Sequence, residues 1–243
     1  MKRRLDELLV QRGLAEDLAA ARALIGAGEV LVEDRVLDKA GSLVQVAAVI
    51  RIRARCPYVS RGGLKLREGL ARFDIDPTDM VCIDVGASTG GFTDCLLQHG
   101  ARKVYAVDVA YGQLDWKLRQ DPRVVVMERF NARELTSAHL QESLDFAVVD
   151  ASFISLTKLI PALVHLFLQD VSILALIKPQ FELAREKIGP GGIVREAQFH
   201  DEVLESVQGF ARDQGLRVTG VVKSPILGRK GNKEYLIHLA NTC

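Results

Sequence analysis

The stretch VCIDVGASTGGFTDCLLQHGARKVYAVD, residues 81 to 108, decides the fold of this 243-residue chain. Its apolar start predicts a strand, its glycines predict a tight turn, residues 91–100 predict a helix, and residues 103–108 predict a second strand that ends in a carboxylate. A strand, a helix and a strand in this order indicate a right-handed crossover between parallel strands. We therefore expect an α/β domain.

The turn and the carboxylate together predict an adenosine cofactor. Gly86, Gly90 and Gly91 allow the backbone to approach a ligand closely, and Asp108 can accept hydrogen bonds from both ribose hydroxyls. The glycine spacing is neither G-x-G-x-x-G nor a Walker sequence, so it favours a cofactor without phosphates, of which S-adenosylmethionine (SAM) is the common one. The alternative is that these glycines only pack the helix on the strand.

The same alternation continues to the C-terminus and extends the sheet. A mostly parallel sheet with an antiparallel end strand is expected, because the last two strands read as a hairpin. Further strands are predicted at 123–128, 144–150, 171–178, 216–223 and 233–240, and helices at 63–73, 133–140, 156–168 and 199–214.

Residues 1–55 read as a separate small α+β domain of two short helices and several short strands. Residues 56–62 are the predicted linker, since Cys56-Pro57 and Gly62 break both patterns, and residues 63–243 form the second domain. The first domain resembles the S4 RNA-binding domain in the helix around RLDELLV, residues 4–10, and in RALIGAGEVLV, residues 22–32. The resemblance implies RNA binding, with phosphate contacts from basic side chains. The candidates are Arg3, Arg4, Arg12 and Arg22, and Arg61 beyond the domain; the alternative is a solvated basic face among nearby acids.

Composition excludes several classes of protein. Lys+Arg 32 against Asp+Glu 31 leaves a formal net charge of +1, so affinity for nucleic acid must come from local clustering. The four cysteines form no C-x-x-C pair, which argues against a zinc site or a disulfide framework and favours the cytoplasm. The apolar run 171–177 is too short to span a membrane, and no signal sequence is recognised.

Polar residues at predicted strand ends carry the chemistry, because ligands of open α/β sheets collect there. They are Asp84, Asp108, Asn131, Asp150 and Lys178. Lys178 ends an apolar strand, so we expect desolvation to lower its pKa and fit it for proton chemistry; the alternative is a simple ion pair with Asp150.

The acceptor follows by elimination among methylated groups. Asp150-Ala-Ser-Phe153 lacks the prolines of the turn used for exocyclic base nitrogens, and no cysteine follows the fourth or fifth strand to attack a base carbon. A ribose 2′-hydroxyl remains, and the site must remove or share its proton.

Eight segments in order resemble the TlyA family, which consists of S4-containing ribosomal RNA 2′-O-methyltransferases with an FtsJ-like, Rossmann-like catalytic domain, historically labelled haemolysins. The resemblance implies a catalytic tetrad of Lys65, Asp150, Lys178 and Glu234. It implies SAM binding by the loop with Asp84, Gly86, Ser88, Gly90 and Gly91, by Asp108 at the ribose and by Asn131 at the adenine. The segments are 58–65, 84–94, 108–114, 128–133, 150–155, 178–182, 191–195 and 224–234.

The implied partner is ribosomal RNA or a ribosomal subunit. Two other functions stay open: an RNA-binding ribosome-assembly protein whose methyltransferase fold is silent, and a membrane-lytic haemolysin. Trp116 and Tyr111 could stack on a base, although core packing is the favoured expectation. The histidines show no catalytic spacing, and surface or helix-end positions are expected for them.

Overall fold

The computed structural model describes residues 1–53 and 56–241, with the side chain of Arg229 left aside. Within it the chain divides into two compact units, Met1–Cys56 and Pro57–Cys243. Residue 55, where the predicted domain boundary falls, and Cys243 lie outside the described residues. The segment predicted as a linker belongs to the second unit from Pro57 onward.

The first unit is a small α+β fold around one apolar core. Leu5, Leu8 and Leu9 of the first helix pack with Ala21 and Ile25 of the second, and all five are almost fully buried. The elements are β1 Lys2–Arg4, α1 Leu5–Gln11, α2 Leu18–Gly26, β2 Val30–Val32, β3 Arg35–Val36, β4 Leu43–Gln45 and β5 Ile50–Ile52. Strand β2 lies between β3 and β5, and β1 pairs antiparallel with β4.

The second unit combines a seven-stranded sheet with helices. The elements are α3 Gly62–Phe73, β6 Val81–Val85, α4 Gly91–Gln98, β7 Lys103–Asp108, α5 Trp116–Arg119, β8 Val124–Glu128, β9 Phe146–Val149, α6 Ile160–Val164, β10 Ser172–Ile177, α7 Pro179–Glu182, α8 Ala197–Asp213, β11 Leu216–Lys223 and β12 Tyr235–Asn241. The strand order in the sheet is β11-β12-β10-β9-β6-β7-β8. β12 runs antiparallel to both of its neighbours, and the other pairs are parallel.

The carboxyl ends of the parallel strands form one edge of this sheet. The three central parallel strands β6, β9 and β10 are mostly apolar and almost completely buried, as is typical of strands inside a parallel sheet. The α/β fold class and the mostly parallel sheet with an antiparallel strand pair are therefore confirmed.

Two predicted helices are shorter than expected. The stretch 133–140 contains two 3-10 turns, Ala132–Glu134 and Ser137–His139, because Leu135 between them is extended. The stretch 156–168 holds a 3-10 turn, Leu156–Lys158, and the short α6, because Pro161 in the first turn cannot donate its nitrogen and the helix restarts there. Apolar spacing alone does not show such breaks.

Candidate active site

The glycine turn after β6 is shaped by close backbone approach. Gly86 has φ +86, and a Cβ there would lie 2.9 Å from the backbone of Asp150 and Ala151. Gly90 has φ +93 at the start of α4, and its Cβ would lie 2.2 Å from Leu118 Cδ1. A Cβ on Gly91 would lie 2.2 Å from Ser60 Oγ. Gly86 is therefore required by the adjacent backbone, and Gly86 and Gly90 also by a left-handed backbone, whereas at Gly91 a Cβ would have to displace a side chain.

A cavity of about 350 Å³ lies beside this turn, at the ends of β7 and β9. Asp108 and Asn131 line it, together with the apolar side chains of Val107, Phe130 and Leu159. The Asp108 carboxylate accepts hydrogen bonds from the backbone N–H groups of Ser88 at 2.7 Å and Ala110 at 2.8 Å. Two backbone N–H groups thus hold the Asp108 carboxylate in the lining of this partly apolar cavity.

Asn131 also has a structural task at this position. Its Oδ1 accepts from the backbone nitrogen of Arg133 at 3.2 Å, and its Nδ2 donates to Glu134 at 3.2 Å. Asn131 is therefore also a turn former, while its place in the lining leaves the adenine role as a prediction.

Asp84 is fully buried and lines neither cavity. Its Oδ2 accepts from Thr93 twice, from the backbone nitrogen at 2.9 Å and from Oγ1 at 2.7 Å, while Oδ1 has no partner within the described residues. Burial raises the pKa of Asp84 to about 7, and the charges of Asp150 and Asp108 add to the shift. Asp84 thus supports the first turn of α4 from below the loop.

A larger cavity of about 770 Å³ contains the four residues of the expected tetrad. Lys65 Nζ lies 2.6 Å from Glu234 Oε2, and Lys178 Nζ lies 2.5 Å from Asp150 Oδ1. Lys178 also donates to Ser152 Oγ at 3.0 Å. Residues from four separate parts of the sequence therefore meet as two ion pairs, one buried (Lys65–Glu234) and one with a partly exposed carboxylate (Lys178–Asp150), and the ion pair that was the alternative for Lys178 is present.

The two cavities adjoin, since they share the residues Gly86, Ser88, Asp150, Ser152 and Phe153 in their linings. Asp150 thus stands where the smaller cavity meets the larger one. A ligand held at Asp108 and a second molecule beside Lys178 would meet at this point.

Phe153 was missed as a functional candidate. Its side chain is 91% exposed at the mouth of both cavities, its φ is +64, and its ring centroid lies 5.0 Å from that of Phe181. A bulky residue with positive φ is uncommon and indicates that the surroundings impose the conformation. The only sequence signal was an aromatic residue three positions after a strand-end aspartate.

The predicted RNA-binding arginines mostly have partners inside the first unit. Arg4 forms two hydrogen bonds with the buried Asp6, at 3.0 and 2.8 Å, and Arg22 forms a third at 3.1 Å. The Arg4 guanidinium holds the pKa of the Asp6 carboxyl far below its usual range. Arg12 donates to the carbonyl oxygens of Ala48 and Val46. These side chains therefore hold the unit together, whatever else they bind.

The remaining two arginines differ from this group. Arg3 donates to Gln11 at 2.8 Å on the exposed surface. Arg61 lines the large cavity in the second unit.

Two further expectations were wrong. Trp116 and Tyr111 are 72% and 68% exposed, so they do not pack in the core; the Arg129 guanidinium lies 4.2 Å from the Tyr111 ring centroid. The histidine expectation is wrong for His238, which is half-buried inside β12 with its ring 5.6 Å from the Phe73 ring; His200 does lie in the first turn of α8, although it is only 3% exposed.

Metal-binding clusters and membrane-spanning helices are both absent from the described part of the chain. Among residues 1–53 and 56–241 no group of three or more His, Cys, Asp or Glu could hold a metal ion. No helix in these two ranges is long and apolar enough to cross a membrane.

Two family models match the chain. A model described as FtsJ-like methyltransferase matches residues 58–241, and one described as S4 domain matches residues 3–50.

Several known proteins are similar over nearly the whole length. The 16S/23S rRNA (cytidine-2′-O)-methyltransferase TlyA of Mycobacterium tuberculosis is 44% identical over 97% of this chain and 89% of its own length. Hemolysin A of Brachyspira hyodysenteriae is 39% identical over 97% of this chain and 98% of its own length. A solved structure from Streptococcus thermophilus, provisionally called a hemolysin, is 46% identical, covers 99% of this chain and 89% of that one, and has a TM-score of 0.77.

Proposed function

We propose that this chain, which belongs to the TlyA family of FtsJ-like methyltransferases with an S4 domain, transfers a methyl group from SAM to a ribose 2′-oxygen of ribosomal RNA. One observation carries the proposal: the buried Lys178 pairs with the partly exposed Asp150 at the junction of a cavity fitted for a nucleoside and a larger cavity open to a second substrate.

The smaller cavity fits an adenosine. The Asp108 carboxylate faces it and can accept hydrogen bonds from ribose hydroxyls, while Val107, Phe130 and Leu159 offer apolar surface for a purine. Gly86, Ser88 and Gly91 of the turn line the larger cavity beside the smaller one, where the methionine part would lie against them. When bound, SAM supplies an electrophilic methyl carbon on its sulfonium sulfur.

The tetrad residues stabilise the acceptor oxygen while its proton passes to water and the methyl group leaves the sulfonium sulfur. A ribose 2′-hydroxyl is a weak nucleophile near neutral pH, so a nearby positive charge is needed as its oxygen loses the proton. Lys178 Nζ is fixed by Asp150 Oδ1 and Ser152 Oγ and can stabilise the negative charge that develops on the 2′-oxygen. Lys65, held by Glu234, adds a second positive charge in the same cavity.

The two units divide the work between RNA capture and chemistry. The first unit matches the S4 domain, and we assign to it, with the predicted boundary near residue 55, the contacts with RNA phosphates. The second unit contains both cavities. The proposal extends to a ribosomal subunit as carrier of the RNA and to a cytoplasmic location; the relatives named as ribosomal RNA methyltransferases support it.

The test is methylation of ribosomal subunits with tritiated SAM, followed by alkaline hydrolysis of the RNA. Because 2′-O-methylation blocks cleavage of the adjacent phosphodiester, the label should appear in alkali-resistant dinucleotides. The control is Lys158→Ala, which changes an exposed lysine outside both cavities and should methylate like wild type. Label in alkali-sensitive mononucleotides would identify a base methyltransferase. Absence of label from both subunits, with binding retained, would support the assembly-protein alternative, and an erythrocyte-lysis assay addresses the haemolysin alternative.

A further inference from the structure

Two loops form part of the lining of the large cavity on the side of Glu234. One runs from Ile188 to Val194 before α8, and the other runs from Ser224 to Lys233 between β11 and β12. Each contains left-handed positions, Gly191 and Gly192 in the first and Lys230 and Gly231 in the second. Loops of this kind have little regular hydrogen bonding to hold them, so specific side chains must fix their position.

The carboxamide of Asn232 joins the two loops. Its Oδ1 accepts from the backbone nitrogen of Val194 at 3.0 Å, and its Nδ2 donates to the carbonyl oxygen of Gly192 at 2.8 Å. Only 2% of Asn232 is exposed. Burial of a polar amide costs free energy, and its hydrogen bonds offset this cost only while both partners stay in place.

The connection continues in both directions from Asn232. On one side, His200 Nε2 of α8 donates to the Val194 carbonyl at 3.1 Å, so both backbone polar groups of Val194 have a side-chain partner. On the other side, the backbone nitrogen of Gly228 donates to the Asn232 carbonyl at 2.8 Å. The two loops are therefore linked through one residue to a long helix.

Gly228 in turn restricts the position of Glu234. A Cβ on Gly228 would lie 2.0 Å from Glu234 Oε1, so this backbone packs directly on the carboxylate. The Glu234 carbonyl accepts from the Ser224 nitrogen at 2.9 Å, and Oε2 binds Lys65. Any movement of the second loop thus changes the space available to the Glu234 carboxylate.

We infer that Asn232 is a positioning residue: its carboxamide ties the loop 188–194 to the loop 224–233 and thereby holds Glu234 against Lys65. The catalytic part of this inference rests on the proposed function, whereas the tie between the loops does not. Asn232 lines the large cavity, but its Oδ1 and Nδ2 are both engaged inside the protein, so its assigned role is to hold the two loops.

The test compares three full-length variants. Asn232→Ala removes both hydrogen bonds. Asn232→Asp keeps an acceptor for Val194 N–H but places an oxygen against the Gly192 carbonyl, and it also serves if the alanine variant does not fold. Gln198→Ala is the control, since Gln198 lies exposed in the first turn of α8 and its side chain donates to the neighbouring Glu196, away from both loops.

Two measurements do not depend on catalysis. Hydrogen exchange of peptides covering 189–195 and 224–232 should accelerate about tenfold in both segments of Asn232→Ala, and competitive acetylation should show Lys65 becoming more reactive as Glu234 moves away. In Asn232→Asp the Val194 amide should stay protected while exchange in the second loop increases. Gln198→Ala should match wild type in both measurements.

The kinetic measurement separates positioning from binding. kcat for RNA methylation should fall roughly tenfold or more in Asn232→Ala, with the KM for SAM nearly unchanged, because only the placement of the acceptor side is disturbed. Acceleration confined to 189–195, or faster exchange in both loops with unchanged Lys65 reactivity, overturns the inference. If the wild type methylates no ribosomal RNA, the proposed function fails. Hydrogen exchange and acetylation would still show whether Asn232 links the two loops and holds Glu234 against Lys65.

Discussion

At the scale of single residues, the candidate site depends on two lysines that are buried only because each has a carboxylate partner. Lys65 and Lys178 are 8% and 7% exposed, and the partners lie 2.6 and 2.5 Å away. An unpaired buried charge is costly, so removal of one member strands the other. The pairs thus hold two positive charges in place before any RNA arrives.

Replacement of Lys178 by methionine tests the role of its charge. Lys178→Met keeps the length of the side chain and should leave SAM affinity nearly unchanged, because Lys178 lines only the larger cavity. We expect the single-turnover rate with saturating RNA to fall more than about tenfold, which corresponds to ~1.4 kcal/mol of transition-state stabilisation. Calorimetry with SAM is the parallel measurement, and a smaller fall in rate would remove Lys178 from the reaction.

Asp84 gives a prediction about stability and pH. Burial raises its pKa to about 7 in the folded protein, above the value of about 3.8 expected when it is exposed. The folded state therefore holds a proton that the unfolded state has lost, so the contribution of Asp84 to stability is complete below about pH 3.8 and is lost as the pH rises through about 7. Above that pH the fold carries a buried carboxylate.

Asp84→Asn resembles the protonated carboxyl and does not titrate. Its Oδ1 can accept from Thr93, and its amide nitrogen replaces the oxygen that has no partner within the described residues. We expect the variant to gain stability relative to wild type between about pH 4 and pH 8, by roughly 2 to 4 kcal/mol in urea unfolding. For Asp201→Asn, at an exposed position of α8, the difference in unfolding free energy from wild type should stay constant over this pH range. A constant difference across this range would mean that Asp84 is ionised throughout.

At the scale of elements, β12 joins the parallel sheet to the terminal hairpin and contains a half-buried histidine. His238 Nε2 lies 3.0 Å from Ser172 Oγ of β10, and Nδ1 lies 2.8 Å from Thr219 Oγ1 of β11. The ring also lies 5.6 Å from the Phe73 ring of α3. Burial, with a smaller effect of the Arg217 charge, lowers the pKa of His238 to about 4.

This histidine should make the edge of the sheet sensitive to acid. Because the folded pKa lies below the unfolded value of about 6.5, the stabilisation is present above pH 6.5 and is lost as the pH falls toward 4. The control variant His238→Gln keeps a donor and an acceptor but does not titrate. After allowance for partial exposure, we expect the unfolding free energy of the wild type to fall with acidification by about 1 to 2 kcal/mol more than that of His238→Gln. Urea unfolding at about pH 7.5 and 4.5 measures it. His165→Gln, at an exposed position, is the matched control, and an equal pH response in wild type and His238→Gln would contradict the prediction.

At the scale of the whole molecule, each unit has its own core and each can be tested separately. Leu5, Leu8 and Leu9 belong to the core of the first unit, and both cavities lie in the second. A fragment of residues 57–243 should therefore be folded and bind SAM with an affinity close to that of the full chain. It should methylate subunits poorly if, as proposed, the first unit makes the phosphate contacts.

The salt dependence of RNA binding shows how many phosphates the first unit neutralises. For each phosphate that is no longer neutralised in the fragment, the slope of log affinity against log salt should fall by somewhat less than about one. Since Arg4, Arg12 and Arg22 already have partners inside the unit, we expect the unit to neutralise few phosphates and the slope to decrease by roughly two to four units. Unchanged affinity and unchanged slope would show that the first unit does not bind this RNA.

The sequence by itself determined the fold class, the order of strands and helices, and the residues at strand ends. These are local properties: an apolar run ending in Asp108 or Lys178 marks a buried strand and its tip, and parallel strands bring their tips to one edge. The position of Asp84, Asp108, Asp150 and Lys178 at that edge follows from the same argument.

Only the tertiary structure decided what these side chains do there. Lys65 and Glu234 are 169 positions apart, and no periodicity shows that they form a buried pair at 2.6 Å. The exposure of Phe153, the engagement of Arg4 and Arg22 by Asp6, and the tie made by Asn232 likewise depend on which loops meet in space. Burial and hydrogen-bond partners are set by packing between distant segments, and they decide whether a charged or aromatic side chain supports the fold or remains available for a ligand.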